Sequence, residues 1–167
     1  MSKRTIFASV FCGLIAIAVQ PMSAATPSLA GSWQFTLTST SPTATPPAAE
    51  IPGLATCTAD GSVVETDGSE FVPVLSSTGA AKTSTPGHGI WQLANTPETL
   101  YVRYISLVLD ADGALYARNV TTMFLTMGAN GNSFKGAYST EQTIGTLTKL
   151  LSSGTVTGQL IPHVPLP

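Results

Sequence analysis

Charge is scarce in this chain. Asp, Glu, Lys and Arg make up 10% of its 167 residues, against about a quarter in an ordinary soluble domain. That argues against a soluble helical protein. The net charge is −2 and no basic stripe is present, so nucleic acid is not an expected partner. Cysteine is nearly absent, with Cys12 and Cys57 the whole supply. One of these falls in the leader described below, which leaves no intrachain disulfide in the mature protein. A single cysteine and two distant histidines, His88 and His163, cannot make a metal site. No Ser-His-Asp order, P-loop or Cys-x-x-Cys occurs, and no cofactor is expected. No apolar run reaches the roughly 20 residues of a membrane-spanning helix.

Residues 1–25 read as a secretory signal peptide. Lys3 and Arg4 form its positive start, Ile6 to Val19 its apolar stretch, and Ser23-Ala24-Ala25 its small-residue cleavage site. Cleavage after Ala25 leaves residues 26–167 as one domain, secreted or periplasmic, with no membrane span in the mature form. Cys57 then stands alone, either as a buried inert thiol or as a reactive one.

The richest stretch runs from about Thr99 to Gln142: TLYVRYISLVL, DADG, ALYARNVTTMFLTM, GANGN, SFKGAYSTEQ. Tyr, Val, Ile and Leu suit a pleated, half-buried surface, and the flanking Pro97 and Asp110–Gly113 are strand bounds. Asn130-Gly131 signals a hairpin of type I′, and Asp60-Gly61 another hairpin. These residues predict a β-meander. Pairing Leu109 with Ala114 and Ala129 with Asn132 sets the faces. Leu100, Val102, Tyr104, Asn119, Met123, Leu125, Met127, Phe134 and Tyr138 share one, which carries no charge and is assigned to the interior. Tyr101, Arg103, Ile105, Leu107, Arg118, Val120, Phe124, Lys135 and Glu141 share the other. Their mixture of charge and large apolar groups suits an exterior partly covered by another subunit, so a homo-oligomer is possible. A one-residue bulge in either turn exchanges the faces from there on.

Before the meander, WQFTLT forms a first strand, and the Pro/Thr-rich residues 39–53 form a loop. Strands follow at about 53–58 and 62–66. A long connection over 67–87, with a short extended piece at Phe71–Leu75, leads to HGIWQLA. After the meander, GTVTGQLI makes the last strand. Eight strands with mostly short connections predict an all-β chain closed into an eight-stranded antiparallel up-and-down barrel, which removes exposed sheet edges. An open sandwich is the alternative. A barrel of eight strands is just wide enough to be filled by side chains or to hold one small ligand.

Gly31-Ser32-Trp33 entering the first strand resembles the Gly-x-Trp start of lipocalins and their calycin relatives. TADGSVVET, the segment Pro86-Gly87-His88-Gly89-Ile90-Trp91, the DADG turn and SGTVTGQLIP together resemble short bacterial secreted barrels of lipocalin-like or allene oxide cyclase barrel-like form. The likeness spans most of residues 31–162. It implies the calycin-like barrel fold.

Several side chains are candidates for chemistry. His88, between two glycines at the end of a long loop, suits a general acid or base near neutral pH or a structural cap on a loop carbonyl. Tyr104, Asn119 and Tyr138 are polar tips on the interior face, beside Met123, Leu125 and Phe134. These six make either a ligand-binding lining or plain core. Arg103, Arg118 and Glu141 form an outer charge cluster, or an anion site if their face points inward. Asp110 and Asp112 are turn formers, lacking the further ligands of a calcium loop. The function expected is the binding of a small apolar molecule in the interior. The alternatives are a cofactor-free cyclase or isomerase using the same cavity, and a structural or assembly protein.

Overall fold

The computed structural model describes residues 26–40, 50–68, 82–96 and 98–162. The leader, the extended piece expected at Phe71–Leu75, and His163 lie outside them. Among the described residues the chain forms nine strands: β1 (Gly31–Ser39), β2 (Glu50–Cys57), β3 (Ser62–Asp67), β4 (Thr83–Ser84), β5 (Gly87–Leu93), β6 (Thr99–Leu109), β7 (Leu115–Met127), β8 (Ser133–Ile144) and β9 (Leu147–Leu160).

All pairings are antiparallel, and the sheet closes. β1 pairs β2 and β9, β3 pairs β2 and β5, β6 pairs β5 and β7, and β8 pairs β7 and β9. Eight strands therefore make an up-and-down barrel. The two-residue β4 continues the line of β5 along the far end of β6, opposite Val108 and Leu109. The break falls at Thr85-Pro86. Proline has no N–H to give a ladder, and the Thr85 hydroxyl accepts from Leu107 N–H at 3.0 Å, holding the edge together.

Alternation decides which side faces in. On β1, Trp33, Phe35 and Leu37 are buried while Ser32 and Gln34 are exposed, the period-2 pattern of a half-buried strand. The nine residues assigned from sequence to the interior of the meander all share the inward face. Seven are buried, and Asn119 and Met127 are partly so.

The turns arrive at this result differently from expectation. Across β6–β7, Asp110 N–H bonds the Ala114 carbonyl around a three-residue loop with Gly113 at φ 79°. A bulge then leaves Tyr116 as an extra residue, so Val108 faces Ala117. Each irregularity shifts the register by one residue, and a one-residue slip exchanges faces. Two slips restore them. Asn130-Gly131 is not a type I′ turn: Gly131 takes φ 70° but Asn130 does not take positive φ, and Gly128 N–H closes a wider loop on the Ser133 carbonyl.

Two strand boundaries also differ from the sequence reading. β2 begins within the stretch read as a loop and includes Pro52, opposite Thr36. The β2–β3 ladder starts only at Gly53, so Pro52 sits where β2 has a single neighbour. β9 starts at Leu147, seven residues before the expected Gly154, because Gly145 at φ 58° and Thr146 make a tight hairpin with β8.

Candidate functional site

The barrel interior divides into two halves. At the end carrying residue 29 and the β7–β8 turn, the chain fills its own core. Trp33 packs with its ring centroid 5.2 Å from that of Phe134, and its indole N–H donates to the Leu29 carbonyl at 2.8 Å. Phe35, Cys57, Val63, Val102, Met123 and Leu125 complete this plug. The strands make room for the rings by placing glycine opposite them. A Cβ on Gly53 would lie 2.3 Å from Phe35 Cζ, and one on Gly158 2.2 Å from Phe134 Cζ. About 20 Å3 remains in this half, room for about one water molecule.

The opposite half, where the β1–β2, β3–β4, β6–β7 and β8–β9 connections emerge, holds a cavity of about 110 Å3. Glu65, Asp67, Tyr104, Ser106, Asn119, Thr121, Tyr138, Thr140 and Ser152 line it, with Leu37, Ile51, Ser84 and Leu151. Hydrogen bonds knit one wall across three strands. Thr121 and Thr140 share one at 2.9 Å, as do Tyr138 and Ser152, and Gln142 donates to Asn119 at 3.1 Å. The bulge at Thr140/Glu141 inserts Leu151 opposite β8 and brings its side chain to the mouth, where it is 44% exposed.

Glu65 is the unusual member, a carboxylate only 3% exposed on a strand that also buries Val63. Gly87 lies opposite it on β5. A Cβ there would come within 2.7 Å of Glu65 Oε2 and 2.5 Å of Tyr104 Cδ2, so the glycine makes the gap in which the two side chains meet. Burial, and next the charge of Glu65, push the Tyr104 phenol well above its ordinary 10.0. Burial likewise pushes the Cys57 thiol from 9.0 up to about 12.

Both groups are raised in the folded state, so both contribute stability that is present at neutral pH and lost in alkali. For Cys57 the loss runs from pH 9 towards 12, and Tyr104 adds to it above pH 10. The urea midpoint is therefore expected to fall steadily from pH 9 upward. Cys57→Ala removes the part of the slope that begins at pH 9 and Tyr104→Phe the part added above pH 10. A midpoint flat between pH 9 and 11 would contradict this.

The six residues singled out from sequence separate. Tyr104, Asn119 and Tyr138 line the cavity, whereas Met123, Leu125 and Phe134 belong to the plug, which Tyr104 also touches. His88 reaches neither. It lies within β5, backbone-paired with Val64 and Ile105, and its side chain is exposed on the outer face. The glycines beside it face inward, against Tyr104 and Glu65, and His88 takes the other side by alternation. Arg103, Arg118 and Glu141 are exposed on the outer face too. They stand opposite Thr122, Leu107 and Val120 respectively.

Sequence reasoning missed Glu65, Asp67, Thr121, Thr140 and Ser152. One signal was present: in SVVETD, alternation puts Glu65 on the same face as Val63. Among the described residues no group of three or more His, Cys, Asp or Glu side chains is placed to hold a metal ion.

Comparison of the chain with protein-family models, with curated proteins and with solved structures finds no match. The functional reading therefore stands on the geometry of the site.

Proposed function

We propose that this chain is an exported barrel of the calycin-like kind that holds one small amphipathic molecule in the cavity at the end opposite the packed plug. One observation carries the reading: the apolar half of the interior is occupied by the chain's own side chains, while the other half is left hollow and lined by convergent polar groups. Such a pocket orients a ligand through a few placed polar atoms. Leu37, Ile51 and Leu151 offer the apolar contact, and Tyr104, Asn119 and Tyr138 are among the polar ones. The expected apolar ligand thus becomes one with a polar end. The leader-like residues 1–25 support a secreted or periplasmic location.

Native mass spectrometry of protein purified from its own host tests this. A retained small molecule is expected, and Ser152→Trp, which puts a large ring in place of a small cavity-lining side chain, is expected to lose it. Retention by the filled variant would place the ligand elsewhere. Protein that is empty and indifferent to every amphipathic probe would end the proposal.

A second reading, self-association, has its own support. The outer face of β3, β5, β6 and β7 exposes Val64, Ile90, Ile105 and Phe124, the last at 53%, interleaved with His88 and Arg103, and exposed apolar surface set among polar residues commonly marks an interface. Sedimentation is expected to show an oligomer that Ile105→Glu with Phe124→Glu dissociates. A wild-type monomer at high concentration removes this reading.

A further inference from the structure

We infer that the polar end of the ligand is a cation, an organic ammonium group. This rests on the cavity reading above and names the chemistry of its occupant. Two carboxylates, Glu65 and Asp67, line the cavity, and among the described residues no lysine, arginine or histidine does. The described basic side chains are placed elsewhere: Arg103, Arg118, Lys135 and Lys149 are exposed, and Lys82 lies over the Tyr116 ring, 3.1 Å from its centroid.

A cleft lined by one sign of charge and walled by low-dielectric protein concentrates its field on what enters. Here that field is negative. It draws an ammonium group, which offers three N–H donors to carboxylate, hydroxyl and carbonyl oxygens, and it repels a carboxylate or phosphate. The neighbouring oxygens suit such a donor. The hydroxyls of Tyr104, Thr121 and Tyr138 each have acceptor capacity beyond the hydrogen bonds they share. A metal ion fits less well, since calcium takes six to eight oxygens with several carboxylates. The volume admits an ammonium head and a short alkyl segment, and Ile51 and Leu151 continue the path of an apolar tail towards the mouth.

The test uses three probes of one shape: hexylamine (cationic at pH 7), hexanol and hexanoate. Each is titrated into the mature protein, with calorimetry for affinity and the backbone amide signals of Thr121, Tyr138 and Ser152 for location. Hexylamine is expected to bind about tenfold or more tightly than hexanol and to shift all three signals, with hexanoate showing no binding. Glu65→Gln is expected to bring hexylamine down to the level of hexanol while hexanol binding persists. Asp67→Asn, at a less buried position, gives the same direction if Glu65→Gln fails to fold. Hexanol matching or exceeding hexylamine, with the cavity signals shifting, overturns the cation and leaves the cavity reading intact. A hexylamine preference that survives both substitutions also overturns it. Silence of the cavity signals to all three probes overturns both.

Discussion

Trp33→Ala is expected to cost about 3–5 kcal/mol, the range for removing a large buried aromatic. Folded domains are stable by only about 5–15 kcal/mol, so the variant sits close to the limit of folding. The size of the effect follows from position. Trp33 is 1% exposed at the base of β1, its ring is tilted 53° against Phe134, and its N–H satisfies the Leu29 carbonyl. Removing it opens a hole where three strands converge, since Trp33 faces Ala55 on β2 and Leu160 on β9. Trp33→Phe separates packing from hydrogen bonding. It keeps much of the apolar volume but leaves the Leu29 carbonyl without its donor, for an expected loss of about 1–3 kcal/mol. Urea unfolding measures both, as a lowered midpoint at unchanged slope. Equal losses in the two variants would show that the ring's packing is not what the site depends on.

Gly136→Ala is the second large effect. A Cβ at this position would lie 2.0 Å from the Phe124 carbonyl oxygen and 3.0 Å from Leu125 Cα. The obstacle is backbone, so no change of side-chain rotamer relieves it. β7 and β8 must part at Leu125–Gly136, inside a ladder that pairs them from Arg118–Thr143 to Met127–Phe134. Overpacking of a core costs about 1–3 kcal/mol and occasionally more, and a clash with a fixed carbonyl belongs at or above the top of that range. Gly113→Ala is the control. Nothing lies within 4 Å of a Cβ there, but φ is 79°, so only the backbone penalty of roughly 1–2 kcal/mol applies. If Gly136→Ala unfolds no earlier than Gly113→Ala, close strand approach is not the reason for the glycine.

Much of the barrel was legible because its causes are local. Side-chain alternation has a period of two residues, so Trp33, Phe35 and Leu37 declare one face of β1 without reference to any other strand. The same holds for Leu100, Val102 and Tyr104. The β8–β9 hairpin escaped notice because Thr143–Leu151 projects past the packed core. Leu147 and Leu150 are both exposed there, and without a buried face no clean alternation is imposed. β4 escaped because two residues beside a proline carry no periodicity at all.

The site was less legible. Tyr104, Asn119 and Tyr138 share a face with Met123, Leu125 and Phe134, and alternation cannot divide the first three from the second. What divides them is height along the barrel, which depends on registers summed around all eight strands and on the extra residues Tyr116 and Leu151. His88 shows the same limit. The sequence placed it at the entry to a strand, delivered to the barrel rim by a long loop, but the ladder to Val64 and Ile105 sets it inside β5 and turns it outward.

By itself, the sequence determined that the chain is all-β and where its turns fall, since these follow from backbone sterics and side-chain patterning within a few residues. The inward face of the meander followed because the two register slips between β6 and β7 cancel. Only the tertiary structure decided that one end of the barrel is packed and the other hollow. It also decided that Glu65 of β3 meets Tyr104 of β6 beside Gly87 of β5. Those residues are far apart in the chain, and closing the sheet brings them to one height.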